Sequence, residues 1–449
     1  MGKIKPPVTS TNQLSFTGLP PIDVPFRYFI SAPLFAIAVA LMIFFIGDHL
    51  WISRWQSEML AITHAFTLGF IASIMLGALF QLLPVTAGIS IGKPRLVAGI
   101  CHSLHTVGSV LLILGFLLND HLLQRMAAVL LALGFTLYLS IFGYFLFKNK
   151  LKNNSSYTNY TLSTIKLALL ALFITVCLGL LLQTRVIGLS LIVWDKDFTN
   201  LHATWGLNGW VALLIMAISF QVLPMFHVAP EFPLWVKRYL PRIVFATLIA
   251  LFAAKFITTL YFLNDYLHYL LLTLNCVFII YLLKTLHNRK RKITDSTVNY
   301  WRLGATNLIV CSLLFIIPEQ MLPLVILQKL PILLAVLFIF GYVVSILQGM
   351  LLKILPFLVF THLQQRCMVN FSAMQALPNM HDILIKRHGQ IQFLLHTSTL
   401  IILLITVLFP QLYWLLASLL LAEFTWLSLL IIKAYMLYRQ HNNKISQLL

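Results

Sequence analysis

The chain has 449 residues, of which 60% are hydrophobic and only 10% are charged. A soluble domain carries about 25% charged residues, so this composition excludes an ordinary soluble protein and indicates a membrane protein. The net charge of +19 would also suit a nucleic-acid-binding protein, but the positions of the basic residues argue against that class.

A bilayer-spanning helix needs roughly 20 apolar residues. Twelve segments of the chain meet this requirement, near 27–48, 58–86, 97–118, 125–147, 160–183, 201–226, 240–263, 265–286, 303–322, 332–358, 390–409 and 412–436. The sequence therefore predicts an all-α polytopic membrane protein with about twelve transmembrane helices in residues 27–437. Residues 1–26 lack the apolar core of a cleavable signal and are interpreted as a cytoplasmic lead-in, with 438–449 as a cytoplasmic tail.

Most of the 31 Lys and Arg residues lie in loops on one side of this arrangement. Only five lie on the other side, namely Arg54, Arg125, Arg185, Lys196 and Lys329. Basic loops stay in the cytoplasm, so both termini are predicted to be cytoplasmic in a bacterial inner membrane. The basic excess then reflects topology and attraction to anionic lipid, and no nucleic-acid partner is expected.

Two of the segments share a pattern at both ends. Segment 62–88 begins near His64 and ends with Gln81-Leu82-Leu83-Pro84, and segment 201–228 begins near His202 and ends with Gln221-Val222-Leu223-Pro224. A weaker third copy, 334–362, has no histidine near its start and ends its pattern at Pro356. Because proline lacks an amide hydrogen and restricts the residue before it, these prolines are predicted to end their helices.

The three copies are the second, sixth and tenth predicted helices, so they run in the same direction and lie four helices apart. This spacing predicts three four-helix quartets, at about 27–150, 160–288 and 303–437, in a pseudo-threefold bundle. Polar side chains inside a bilayer usually face the bundle interior and are often functional, so the histidines of these helices are the first candidates for a site.

His64 and His202 are predicted to lie at matching depths near the outer face, on helices that the repeat relates. A neutral imidazole is a common ligand of metals and of haem iron, and a six-coordinate haem needs two such ligands on facing helices. The pair is therefore a candidate haem site. The alternative interpretation is two interfacial histidines that bind water or backbone.

A second group of histidines is predicted near the inner face. His102 and His105 are three residues apart, hence on one face of a helix. Together with His227 they form a candidate metal site or second haem site, the alternative being a wetted vestibule of ordinary hydrogen-bonded histidines. Lys255 and Glu423 are among the charges deepest in the predicted spans and could pair with each other.

The motifs on the first, second and sixth helices resemble the NnrS family, and the topology resembles subunit I of the haem–copper oxidases. The residues that carry the resemblance are Pro25-Phe26-Arg27, His64-Ala65, Leu68-Gly69-Phe70, Leu201-His202-Ala203 and His227. It implies a haem- and copper-containing membrane protein linked to nitric-oxide stress, with His64 and His202 as haem ligands and respiratory or redox partners in the membrane.

The chain also departs from both patterns. The predicted tenth helix lacks the histidine pair that an oxidase uses for its haems, and the seventh has no histidine at all. A dioxygen-reducing centre is therefore not expected, and whether the protein is an enzyme stays open. The NnrS pattern has a second histidine and an acid directly after the first, where this chain has Phe66 and Thr67.

The sequence thus predicts an inner-membrane haem-binding protein, with copper or another metal as a further ligand, that acts in nitric-oxide response or respiratory metabolism. Two other classes stay open. A multi-pass transporter of a small solute or metal also fits twelve helices with embedded charges, although transporters usually show two related halves rather than three quartets. A membrane assembly factor would use the bundle to hold partner proteins.

Overall fold

The computed structural model of the protein describes residues 19–87, 91–150, 158–186, 196–290, 292, 295–368 and 371–448. Within these residues the secondary structure is helical and contains no strand, which confirms the all-α class. Most of the predicted lead-in, residues 1–18, and residues 151–157 of the loop between the first two quartets lie outside the described residues.

Twelve long helices make up the described chain, and we number them in chain order. They are α1 Asp23–Ile46, α2 57–87, α3 Pro94–Leu117, α4 His121–Lys150, α5 Thr158–Val186, α6 196–227, α7 Leu234–Phe256, α8 Asn264–His287, α9 Ser296–Ile316, α10 Leu324–Cys367, α11 Lys386–Leu408 and α12 Tyr413–Leu448. Short helical turns at Phe371–Ala376 and Met380–Ile383 connect α10 to α11.

Eleven helices in the described part of the chain are long and apolar enough to cross a membrane, which supports a multi-pass membrane protein. The exception is α9, which overlaps the ninth predicted span. Its first twelve residues include the polar side chains of Asn299, Arg302 and Asn307, which lower the hydropathy of the helix as a whole. It nevertheless packs along α10 and α11 as part of the bundle.

The last helix is longer than the sequence predicted. It continues through residues 438–448, which were interpreted as a tail. The extension is amphipathic and packs against the protein: Ile445 is fully buried, and Arg366 at the end of α10 donates hydrogen bonds to Asn442 and Ser446. Packing and hydrogen bonding therefore extend this helix beyond the apolar run that defined the span.

The prediction that the three prolines end their helices is wrong. Pro84, Pro224 and Pro356 each lie inside a helix, and α10 continues for eleven residues beyond Pro356. Within a membrane bundle, neighbouring helices and local adjustments can satisfy the backbone groups that a proline leaves free, so the helix does not have to end there. The α6 helix ends at His227, before Val228 in the left-handed region.

A π-helical segment of eight residues interrupts α2, α6 and α10. The three segments are Ala65–Ala72, Trp205–Ala212 and Leu337–Val344, and each ends twelve residues before the corresponding proline. The third segment contacts both of the others, so the widened turns meet in the bundle interior. π-helical turns are rare and are frequently found at functional sites, which directs attention to this region.

Glycines let neighbouring helices approach these segments closely. An added Cβ would lie 2.3 Å from Phe35 at Gly69, 2.8 Å from Ala171 at Gly209 and 2.6 Å from Asn307 at Gly341. The three contacting residues lie on α1, α5 and α9, the first helix of each predicted quartet. These matched contacts support the predicted repeat, while the pseudo-threefold symmetry of the whole bundle stays a prediction.

Candidate functional site

A cavity of about 370 Å³ lies next to the three π-helical segments. Residues from α2, α6 and α10 line it together with side chains from other helices, and most of the lining is aliphatic or aromatic. His64 and His202 both line this cavity. The structure therefore brings the two histidines that the sequence selected into one interior space, from two different helices.

His64 lies on α2 immediately before the π-helical segment. Its Nδ1 donates a hydrogen bond to the carbonyl oxygen of Leu60 one turn earlier, at 2.7 Å. The imidazole packs at a tilt against the ring of Phe116 on α3, with 5.2 Å between the centroids. The backbone bond and the ring contact hold the imidazole in one orientation at the wall of the cavity.

His202 is oriented by the neighbouring helix α5. Its Nδ1 donates to the carbonyl oxygen of Thr175 at 3.0 Å. Gly179, one turn further along α5, leaves room for the ring, because a Cβ at that position would lie only 3.0 Å from Cε1 of His202. The imidazole is thus placed by a hydrogen bond across helices and by a close approach that a larger residue would hinder.

The two hydrogen bonds fix which ring nitrogen can act as a ligand. A carbonyl oxygen only accepts, so each Nδ1 carries the hydrogen and each Nε2 keeps its lone pair. Within the described part of the chain, neither Nε2 has a hydrogen-bond partner, and the two rings are close enough to interact electrostatically. An imidazole held through Nδ1–H to a carbonyl and open at Nε2 is the usual form of a metal-binding histidine.

The two histidines reach the cavity from non-equivalent positions of the proposed repeat. His64 directly precedes its π-helical segment, whereas His202 lies three residues before Trp205, the first residue of the segment in α6. Counted from the segments, His64 corresponds to Thr204 and His202 corresponds to Ile62. The two helices that the sequence pattern relates do meet at one cavity, but the positions of the two histidines differ by two residues when counted from the π-helical segments.

Arg54 is the one charged side chain among the described residues that line the cavity. Its guanidinium lies over the ring of Trp55 at 4.4 Å and donates to Asn200 at 2.8 Å. Trp51 also lines the cavity, and its carbonyl accepts a hydrogen bond from Lys329. Burial lowers the pKa of Arg54, but a guanidinium stays protonated at physiological pH.

The candidate inner-face metal site is not assembled in the described residues. Nε2 of His102 contacts the hydroxyl of Ser31 at 2.9 Å, and Nε2 of His105 donates to the carbonyl of Leu68 at 3.1 Å. The charged groups that act on His227 are Lys353, Asp295 and Arg289, which lie outside α3. No group of three or more His, Cys, Asp or Glu residues that could hold a metal ion occurs in the described ranges.

Glu423 does not pair with Lys255 but with His396, in a polar cluster that sequence reasoning missed. Both partners are fully buried, and Nδ1 of His396 lies 2.8 Å from Oε1 of Glu423. Lys255 instead lies 5.6 Å from the ring of Phe198. The sequence contained a signal for this pair. His396 and Glu423 lie on consecutive helices and at similar distances from the short connection between them, so they are expected at a similar depth.

Comparison with known proteins gives no family for this chain: no protein-family model matches it, and no curated protein matches it significantly. The fold and the site therefore define only a class. It is a polytopic α-helical membrane protein with an apolar interior cavity that is lined by two oriented histidines, and with a buried acid–imidazole cluster behind one wall of that cavity.

Proposed function

We propose that the protein binds haem inside the membrane, with His64 and His202 as the two axial ligands. The observation that carries the proposal is that both imidazoles line one cavity, each with Nδ1 bonded to a backbone carbonyl and Nε2 without a partner. Two neutral imidazoles from different helices form the ligand set of a six-coordinate haem.

The cavity fits a flat, largely apolar cofactor with an anionic edge. Its volume of about 370 Å³ lies in the range of roughly 300–1,000 Å³ that is typical of cofactor sites. The lining is mostly apolar, and Arg54 supplies a single cation that suits a carboxylate substituent. Held there by both imidazoles, a haem would supply electron transfer.

The physiological setting is proposed on sequence grounds. The likeness to the NnrS family supports a role in nitric-oxide response or respiratory metabolism, with redox partners in the same membrane. The concentration of Lys and Arg on one side supports a bacterial inner membrane with both termini in the cytoplasm. Copper belongs to the proposal only through this likeness, because the described residues do not bring His102, His105 and His227 together as a set of metal ligands.

The test is an absorption spectrum of the protein purified from haem-replete cells, oxidised and reduced with dithionite. We expect a Soret band and low-spin features, which His64→Ala and His202→Ala each abolish because either change removes an axial ligand. Gly179→Leu should weaken the same features, since a larger side chain would displace the ring of His202.

His268→Ala is the matched control. His268 also lies on a predicted span and donates from Nδ1 to the carbonyl four residues earlier, at 2.8 Å from Asn264, but it does not line the cavity. It should keep the wild-type spectrum. A wild-type protein without a Soret band refutes the cofactor, and low-spin features that survive in both cavity variants refute the ligands.

A transporter is the second candidate, and one observation favours it. The π-helical segments break the regular hydrogen bonding of α2, α6 and α10 in mid-helix, beside the cavity. Carriers often build their substrate sites from such irregular helices near the middle of the membrane. Uptake of a labelled solute or metal by cells with and without the protein separates the two functions. If the protein only binds haem, uptake should be the same in both kinds of cell.

A further inference from the structure

The buried cluster around Glu423 and His396 has no role in the proposed haem site. It joins α9, α10, α11 and α12 through six side chains. All six residues are fully buried: Tyr300, Ser345, Gln348, Gln392, His396 and Glu423. Ionisable groups at such a position are costly and commonly belong to proton pathways in membrane proteins.

The hydrogen bonds of the cluster determine where its protons lie. The hydroxyl of Ser345 donates to the carbonyl of Gly341 at 2.6 Å, and it also lies 2.7 Å from Nε2 of His396. A hydroxyl has a single hydrogen, so Ser345 must accept from Nε2–H. The amide of Gln348 donates to Oε1 of Glu423 at 2.5 Å.

It follows that the pair holds one more proton, between Nδ1 of His396 and Oε1 of Glu423. Because Nε2 already carries a hydrogen, the 2.8 Å contact is either an imidazolium beside a carboxylate or a neutral imidazole beside a carboxylic acid. Both forms have the same number of protons and no net charge. The pair therefore rests in the low-dielectric interior as a neutral unit.

A second proton has a defined place to bind. Oε2 of Glu423 is buried and has no hydrogen-bond partner within the described part of the chain. Oε1 of Gln392, another acceptor in the same cluster, is also buried without a partner. Protonation of Oε2 would turn the pair into an imidazolium beside a carboxylic acid, and its charge would change from zero to +1.

The cluster lies directly behind the wall of the cavity. The ring of Phe340 lines the cavity and stacks on the imidazole of His396, with 5.0 Å between the centroids and 26° between the planes. Leu420 also lines the cavity and lies one turn before Glu423 on α12. A charge in the cavity thus acts on the pair through one layer of apolar side chains, where screening is weak.

Other charged groups around the cluster are few. Among the ionisable side chains of α9 to α12, the phenol of Tyr300 lies within the cluster and donates to Oε1 of Gln348 at 3.1 Å. Lys353 of α10 is paired with Asp295 at the end of the bundle. Facing α12 from α2 is Phe70, whose ring contacts Phe424.

Gln392 points to the route by which a proton arrives. Its amide donates to Oε1 of Gln348 at 2.9 Å, and it lies one turn from His388 near the start of α11. The start of α11 carries Lys386 and Arg387, so it belongs to the basic side of the bundle. The polar side chains thus extend from the pair toward the side that is predicted to be cytoplasmic.

We propose that His396 and Glu423 form a proton-binding site that takes up one proton from the basic side when negative charge enters the cavity. The negative charge is that of an anionic ligand, and the proton is taken from the aqueous solution on the basic side. One negative charge in the cavity is balanced by one proton on Oε2 of Glu423. This site does not require that the cavity ligand be haem.

The first experiment is a pH titration of the purified protein followed by infrared difference spectroscopy. On acidification, we expect the carbonyl band of a buried carboxylic acid to grow, because the added proton binds Oε2 of Glu423. Glu423→Gln removes this band, and Glu319→Gln, which alters an exposed carboxylate between α9 and α10, leaves it in place. A wild-type protein whose carboxylic-acid band is absent or does not change with pH overturns the proposal, because a structural pair that binds no further proton gives a constant spectrum.

The second experiment tests the coupling without any cofactor. Thr67 lines the cavity, so Thr67→Asp introduces a negative charge there, and Thr67→Asn is its uncharged match. The Glu423 band should appear at higher pH in Thr67→Asp than in Thr67→Asn, because the added negative charge favours the proton on Glu423. Equal midpoints in the two variants refute the coupling. Thr63, which also lines the cavity, provides a second Asp and Asn pair should the first not fold.

These outcomes are independent of the haem proposal. A protein that lacks a Soret band but shows a Glu423 band shifted by Thr67→Asp retains the proton site and loses the cofactor. A protein with bound haem but no buried carboxylic-acid band retains the cofactor and loses the proton site.

Discussion

Single hydrogen bonds decide what each histidine of this protein can do. His64 and His202 donate from Nδ1 to carbonyl oxygens and keep Nε2 for a ligand, whereas His105 uses Nε2 for the carbonyl of Leu68. His396 uses both nitrogens, one toward Ser345 and one toward Glu423. The same side chain is therefore a candidate ligand in one place and a candidate proton carrier in another.

Asp295 shows how a charged residue joins two helices at the end of the bundle. One carboxylate oxygen accepts from the amide of Thr297 at 3.0 Å and caps α9, and the other accepts from Lys353 of α10 at 2.8 Å. Burial raises the pKa of Asp295, but the hydrogen bond and charge of Lys353 and the bond from Thr297 outweigh it, so the pKa lies below its ordinary value.

Loss of this contact should lower the stability of the protein. Because the pKa of Asp295 is lowered in the folded protein, the contact contributes fully above the ordinary carboxyl pKa and is lost as the pH falls through the lowered one. Asp295→Asn should cost about 1 kcal/mol at neutral pH, since both groups are partly exposed and screened. Thermal unfolding in detergent measures this change, and Lys353→Met should give a similar one.

The difference in stability between the wild type and Asp295→Asn should become smaller in acid, below the lowered pKa of Asp295. A difference that stays constant across the acid range contradicts the assignment, because it would show that the charge of Asp295 contributes nothing. Glu319→Asn, at an exposed position between α9 and α10, serves as the control and should have no measurable effect at neutral pH.

At the scale of helices, glycines set how closely the first and second helices of a quartet pack. Tyr28 of α1 packs on Gly77 of α2, and Tyr300 of α9 packs on Gly349 of α10. A Cβ added at either glycine would lie 2.6 Å from the side chain of the tyrosine that it contacts. The same tyrosine–glycine contact thus occurs in two quartets. It also brings the phenol of Tyr300 to Gln348 and hence to the proton-binding cluster.

A larger residue at such a contact should destabilise the bundle. Gly349→Ala would force the side chain of Tyr300 to move, and overpacking of this kind costs about 1 to 3 kcal/mol. Gly143→Ala is the matched control, because Gly143 lies within α4 and an added Cβ there meets no atom within 4 Å. Thermal unfolding should show a loss for the first variant and a change below about 1 kcal/mol for the second.

Equal stabilities of the two alanine variants would show that α9 and α10 are not in close contact at Gly349. That result would also mean that contact with Gly349 does not hold Tyr300 in the buried cluster. The comparison therefore tests an interhelical contact on which the proposed proton site depends.

At the scale of the whole molecule, the orientation in the membrane follows from the distribution of charge. The connection between α1 and α2 is exposed at His49, whose side chain is 80% accessible, on the side with few basic residues. Lys290 follows α8 on the basic side and is exposed. Basic loops remain in the cytoplasm, so these two positions should lie on opposite faces of the membrane.

Single-cysteine variants test this orientation. In a background without the five native cysteines, a membrane-impermeant maleimide applied to right-side-out vesicles should label His49→Cys, and it should label Lys290→Cys only after permeabilisation. The reverse pattern would place the termini outside. Labelling of both positions in sealed vesicles would contradict the number of crossings between them.

Much of the architecture could be predicted from the sequence because hydrophobic length is a local property. Runs of about 20 apolar residues identified the helices. The α9 helix is less apolar than the others because it carries several polar side chains. The prolines misled the boundary predictions, because a proline's effect on a helix depends on neighbouring helices that no local pattern describes. Packing and hydrogen bonds likewise extended α12 into the expected tail.

The sequence by itself determined the helical membrane class and selected His64 and His202, since polar residues within apolar runs are visible without coordinates. Only the tertiary structure decided that these two histidines share a cavity and that Glu423 pairs with His396 rather than Lys255. The physical reason is that the rotation of each helix about its own axis, set by packing across the bundle, determines which side chains meet.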